Sequence, residues 1–366
     1  MAFAVPPFSA EEVERASRYH RPLYVSVAAG LALSVAVYAA LEWSWAGERL
    51  WAGVALLGWA GSAAAWAAVV VLAADLVRLP LAFWRGFLRE RRWGFSTQSP
   101  VGWLADQAKG LGIGLLLTAA AWTAAVGLAR ALPRWWPVAA AAALALAVLL
   151  LSVAGPVVFE PLFNRFRPLD DERLAAELRR LATAAGVPVR DVLVADASRR
   201  TTKLNAYVSG LGRTRRVVVF DTLLQAVAAG EVKLVVAHEL GHRRDRHVAK
   251  GTLLAMAGAA LAVVALWAAL GTRVASPREL PLALLVLTAL EVAALAPGAA
   301  LSRRWERAAD RCSLELTGDA ASFERAHVAL ARENLSDLAP PRLVYRLLFT
   351  HPTAPERLAL AREWRT

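Results

Sequence analysis

The chain has 366 residues, 57% of them hydrophobic, a mean hydropathy of +0.42 and a formal net charge of +12. Such apolarity excludes an ordinary soluble protein. The basic charge does not mark a nucleic-acid binder, because arginines cluster beside long apolar runs instead of forming a patch interleaved with aromatics. The single cysteine, Cys312, excludes an intrachain disulfide and any cysteine-based zinc site, so a metal would need His, Asp and Glu.

The first stretch, 1–21, carries acidic residues and no early apolar core, so a cleaved signal peptide is not expected there. Six apolar segments follow at about 22–41, 50–74, 111–129, 138–159, 252–272 and 280–302. Each is long enough to span a bilayer, which takes about 20 helical residues. Only the sixth contains a charge, Glu291, which is costly inside a bilayer unless it is paired locally. Trp43, Trp45, Trp51, Trp135 and Trp136 lie near segment ends, where indoles anchor at the interface. Loop 78–110, the N-terminal stretch, region 160–250 and the tail after 302 are all rich in arginine. Six crossings put these four on one face, and the positive-inside rule makes that face cytosolic.

Region 160–250 is the main soluble part. Asp170 and Asp171 can cap an amphipathic helix running to about Ala185, which Gly186 and Pro188 stop. Strands are predicted at 191–195, 204–209 and 216–220, with Gly210-Leu211-Gly212 as a hairpin turn. Asp221 is expected to cap a short helix, and a second helix starts near Glu231.

The second helix contains His238-Glu239-Leu240-Gly241-His242, an H-E-x-x-H motif. Residues four apart share a helix face, so both imidazoles can reach one metal ion. Glu239 beside the first ligand can act as general base toward a zinc-activated water. A catalytic zinc needs a third protein ligand and an open position. Glu306 and Asp310 share a face of a later helix: Glu306 can ligate, and Asp310 can accept the other N–H of a ligand histidine. Alternatively both belong to a solvated salt-bridge helix, since Arg303, Arg304, Arg307 and Arg311 surround them. Topology favours ligation, because His242 lies just before the fifth segment and Glu306 just after the sixth.

Two further readings stay open. His351 can stabilise an oxyanion or be a turn residue. Asn205, on the predicted strand 204–209, can bond an extended peptide added to a sheet edge or be an ordinary hairpin residue. His247, five residues past His242, falls off the ligand face and is read as structural, and His20 and His327 have no motif support.

Several segments resemble, in order, the type I CAAX prenyl-protease family of integral-membrane zinc metalloendopeptidases. They include LPLAFWRGFLRERRWGFSTQSPVGWLADQAKG, FEPLFNRFRPLDDERL and LNAYVSGLGRTRRVVVFDTLL, followed by AHELGH, SRRWERAAD and HPTAPER. The resemblance covers most of the chain from residue 79 onward. It implies zinc held by His238, His242 and Glu306, Glu239 as base, Asp310 orienting a ligand, His351 at the transition state and Asn205 on the substrate strand. It also implies a large intramembrane chamber, which would give Glu291 a wet place to sit; the alternative is a locally paired packing residue. Six crossings here compare with seven in well-known eukaryotic members.

The expected architecture is therefore mainly α: a multi-pass membrane bundle over 1–159, and a small α+β zincin-like domain over 160–366 that includes the last two spans. The expected function is a membrane zinc endopeptidase acting on peptide or protein substrates in contact with the lipid bilayer. The rival of another class is a membrane scaffold or transporter keeping a structural zinc. The intact Glu239 speaks against it, because a structural site needs no base.

Overall fold

The computed structural model describes residues 7–210 and 212–365. Residues 1–6 of the N-terminal stretch and Leu211 of the predicted turn lie outside them. Six helices are long and apolar enough to cross a membrane. The first, α1 (Ala10–Trp43), opens on a reciprocal cap in which the Glu12 amide donates to Ser9 Oγ and the Ser9 amide to Glu12 Oε2. At 1.5 Å per residue it is about 50 Å long, some 20 Å more than the bilayer core. The excess is the N-terminal part, whose Val13 packs with Phe8 against Ala331, Leu338 and Leu358.

A short helix, α2 (Trp45–Val54), follows, then α3 (Gly58–Phe83), a π-helical stretch (Trp84–Leu88) and α4 (Arg89–Arg92). This corrects the predicted 50–74 segment: residues 50–54 belong to α2, and the crossing helix starts at Gly58. Hydropathy is blind to the turn because its apolar residues, Leu56 and Leu57, prolong the run, while Gly58 makes the bend at φ 69°. The loop predicted over 78–110 is also mostly helix. Arginine is a good helix former, so α3 and α4 continue past the apolar residues. Only 93–99 is non-helical before α5 (Pro100–Ala131).

The fourth crossing comprises α6 (Trp136–Ala154), a π-helical stretch at Pro156 and α7 (Glu160–Phe163). Trp43, Trp45 and Trp135 are exposed, as interface anchors should be, but Trp136 is buried and Trp51 packs edge-on against buried Trp66 inside the bundle.

The soluble sheet has the order β1-β2-β4-β3, with β1 (Phe166–Pro168) antiparallel to β2 (Asp191–Ala195), β2 parallel to β4 (Arg216–Phe220), and β3 (Ala206–Ser209) antiparallel to β4. β3 is therefore an edge strand, two residues shorter than predicted, and Asn205 precedes it. β1, three residues long and carrying a proline, has no sequence signature. Gly210 is required in the β3–β4 turn, because at φ 80° a Cβ would stand 2.3 Å from the Thr214 carbonyl oxygen. Between β1 and β2, α8 (Glu172–Ala184) is capped by Asp171, which accepts from the Leu174 amide. Asp221 does not cap α9 (Asp221–Ala226). It is the first helical residue and accepts from the amides of Ser198 and Thr222 at 2.9 Å.

α10 (Ala229–Arg244) buries Val232, Val236 and Leu240 against Val192, Val194, Val217 and Val219 of the sheet. The last two crossings are α11 (His247–Leu270) and α12 (Leu280–Thr317); α12 is 38 residues long, so one rod carries the sixth span and the 306–310 turn. α13 (Ala320–Glu333), α14 (Arg342–Leu348) and α15 (Ala354–Arg365) close the chain. In the bundle, Glu291 lines a cavity of about 710 Å³ with Ser34, Asp75 and Arg78. Arg78 pairs with Asp75 and donates to Ser34 Oγ, whereas Glu291 has no hydrogen bond or ion pair among the described residues.

Candidate metal centre and active site

The site forms where α10 crosses α12, and the crossing is tight at Gly241. A Cβ there would meet Cys312 Cβ at 3.0 Å and Ala309 Cα at 3.1 Å. The glycine between the two histidines thus lets the backbones approach until the carboxylate of α12 reaches both rings.

His238, His242 and Glu306 converge. His238 Nε2 lies 3.3 Å from Glu306 Oε2, and His242 Nε2 lies 3.2 Å from Glu306 Oε1. The two Nε2 atoms are 3.2 Å apart. A tetrahedral ion bonded at about 2.0–2.1 Å spaces its ligand atoms about 3.3 Å apart. The two imidazole nitrogens have that spacing, and each has one oxygen of the Glu306 carboxylate at a similar distance, so the residues fit a small divalent cation.

Surrounding groups hold the triangle. His238 Nδ1 donates to Asp310 Oδ1 at 2.8 Å. Asp310 is fully buried, and Arg357 Nη1 donates to the same oxygen at 3.0 Å while Arg357 Nη2 donates to Glu306 Oε2 at 2.8 Å. Burial opposes charge on His238, but the hydrogen bond and charge of Asp310, with help from Glu306, push its pKa up to about 10. The same anionic pull that holds a proton there would hold a metal cation. His327 is buried against Phe323, 3.8 Å from Asp310 Oδ1. Burial, with Arg357 beside it, pushes its pKa down to about 3, so it is neutral.

Glu239 is half-buried and has no hydrogen bond or ion pair among the described residues. Burial raises its carboxyl above the usual range, with His238 and His242 pulling the other way. A partner-free carboxylate of raised pKa is suited to taking and returning a proton. His351 is exposed, with Nε2 3.4 Å from Glu306 Oε1. Its loop is tied down by buried Arg303, which donates to the carbonyls of Tyr345 and Phe349 at 2.9 and 2.6 Å. So Arg303 serves the loop instead of a solvated helix face, while Arg304, Arg307 and Arg311 are exposed.

Asn205 is exposed and joins the metal triad through no contact. Its Oδ1 accepts from the Ala206 amide, and its carbonyl accepts from the Phe220 amide, continuing the ladder one step past β3. β3 packs on α10, and the Arg243 guanidinium holds the Val208 carbonyl on the outer edge.

Two residues at the site escaped the sequence reading. Arg357 lies in the quoted HPTAPER string, but nothing in its spacing marks it as the bridge between Glu306 and Asp310. His247, read as lying off the ligand face, has its Nδ1 3.0 Å from His242 Nδ1.

The chain is similar to known proteins along most of its length. Residues 168–365 match the profile of Peptidase family M48, and residues 11–165 match that of the CAAX prenyl protease N-terminal region, five membrane helices. Four long helices and the short α2 occupy that second stretch here. The chain is 30% identical to the uncharacterized metalloprotease YhfN of Bacillus subtilis over 79% of this chain and 71% of that one. It is 31% identical to CAAX prenyl protease 1 of Saccharomyces cerevisiae over 47% of this chain and 38% of the yeast protein. The crystal structure of S. mikatae Ste24p has the same fold, with a TM-score of 0.78 at 23% identity, covering 97% of this chain and 89% of that one. The chain belongs to Peptidase family M48 and is a multi-pass membrane metalloprotease of the CAAX prenyl protease type.

Proposed function

We propose that the chain is a zinc endopeptidase that cleaves extended, membrane-associated peptides at the cytosolic face of the cell membrane. His238, His242 and Glu306 would hold the ion. Zinc bound there supplies a Lewis acid for the scissile carbonyl and acidifies a water molecule. Glu239 takes the proton of the attacking water and returns it to the leaving amine. Asp310 keeps the His238 proton on Nδ1, so that Nε2 presents its lone pair. His351 donates to the developing oxyanion. The β3 edge, with Asn205 at its start, receives the peptide as an added strand. The arginine-rich side of the bundle, which carries the site, faces the cytosol.

The observation that carries this reading is the pair of imidazole nitrogens 3.2 Å apart, each 3.2–3.3 Å from an oxygen of Glu306, beside a Glu239 carboxylate with no hydrogen bond or ion pair among the described residues. Glu306→Ala is expected to lower zinc affinity about 100-fold or more, read as metal per chain after dialysis against a chelator. Wild-type stoichiometry in that variant removes Glu306 from the metal shell.

A further inference from the structure

We propose that His247 is the positioning residue for His242, accepting the proton on its Nδ1 and so fixing the ring that faces the metal. The inference rests on the zinc reading above and extends it to a residue outside the H-E-x-x-H motif.

Had α10 continued, five residues would turn His247 about 140° away from His242. Instead α10 ends at Arg244, and Arg246 adopts φ 57°, ψ 32° before α11 starts on His247. Arg246 is one of two non-glycine residues with positive φ among the described residues, the other being Leu335. The left-handed conformation is unfavourable for an L-residue other than glycine, because Cβ crowds the following carbonyl oxygen. Arg246 is exposed, and among the described residues its side chain has no hydrogen bond or ion pair that would demand it. What the strained turn achieves is the return of the next side chain. The His247 ring comes to 5.1 Å from the His242 ring, centroid to centroid, with the facing Nδ1 atoms at 3.0 Å. On its other side His247 lies flat on Trp305, centroids 5.0 Å apart and planes 11° from parallel. Trp305 immediately precedes Glu306, so three rings in contact, His242 edge-on to His247 and His247 stacked on Trp305, span α10, α11 and α12.

The chemistry assigns the roles. Two Nδ1 atoms at that distance share one proton, because two N–H groups would repel and two lone pairs would not bond. A neutral imidazole that offers its Nε2 lone pair to a cation carries its proton on Nδ1. His242 Nδ1 is therefore the donor and His247 Nδ1 the acceptor, which leaves the His247 proton on Nε2. The two ligand rings are thus oriented by different partners: His238 by an anion, Asp310, and His242 by a neutral ring. A neutral acceptor fixes the ring without adding a third buried negative charge to those of Glu306 and Asp310.

The test compares full-length wild type, His247→Phe and His247→Asn in detergent, using zinc and a chromophoric chelator in competition. Phenylalanine keeps the stack on Trp305 and removes the acceptor. Asparagine removes the stack and places a carbonyl oxygen where Nδ1 was. The proposal expects His247→Phe to lose zinc affinity about 10–100-fold and His247→Asn to stay within about threefold of wild type. Equal affinity of wild type and His247→Phe overturns it, as does an asparagine variant as weak as phenylalanine. If the phenylalanine chain does not fold, His247→Ala is titrated with free imidazole. Restored zinc affinity supports the proposal, and no response overturns it. A wild-type chain that binds no zinc sinks the metal reading itself, a result distinct from the variants failing to differ.

Discussion

Glu239→Gln is expected to abolish peptide hydrolysis while the chain keeps its zinc. Glutamine has nearly the same volume and no basic carboxylate. Removing a positioned general base takes about 10²–10⁴-fold from the rate, and the upper end applies where the same group also protonates the leaving amine. The structure explains why metal retention should be spared. Glu239 has no hydrogen bond or ion pair to lose among the described residues, and the histidines on either side are held by other groups. Turnover of a reporter peptide and zinc per chain, measured on one preparation, check both halves. Full turnover in the glutamine variant would assign the proton transfers elsewhere.

Asp310→Ala is the second large effect. Asp310 is completely buried and accepts from both His238 and Arg357. Truncation leaves a largely buried guanidinium with one acid partner instead of two and frees the His238 ring. Breaking a buried ion pair by removing one partner costs about 3–5 kcal/mol. Loss of a ligand's hydrogen-bond partner takes about 10–100-fold from metal affinity. A lowered melting midpoint should therefore accompany weakened zinc binding. Asp310→Asn, which can still accept from His238 Nδ1, should weaken zinc binding less than alanine does. Alanine and asparagine variants with identical zinc affinity would mean that Asp310 does not orient His238.

The sequence disclosed those parts of the site that depend on regular geometry. His238 and His242 are four apart on one helix, and that period is readable from spacing alone. Glu306 was reachable because His242 precedes one crossing and Glu306 follows the next, so a membrane hairpin returns the chain to the same face. What stayed hidden depends on irregular backbone. His247 meets His242 only because Arg246 enters the left-handed region, and an arginine gives no signal of that. Arg357 reaches Glu306 and Asp310 through a turn of the C-terminal segment that no periodicity encodes.

The fold divides in the same way. Crossings with arginine-rich ends were legible, but the start of the second was not, because apolar Leu56 and Leu57 run through its turn. Strands with β-branched runs were legible, whereas three-residue β1, paired with β2 across the sheet, was not. Trp136 looks like an interface anchor by position but packs in the bundle core, since rank along the chain does not say which way a ring points.

The most direct measurement is X-ray absorption at the zinc edge of the purified full-length chain, with and without Glu306→Ala. The account predicts one zinc per wild-type chain, bound to two imidazole nitrogens and carboxylate or water oxygen at about 2.0–2.1 Å, with the signal lost in the variant. Zinc with a different histidine count, or an unchanged spectrum in Glu306→Ala, would contradict it.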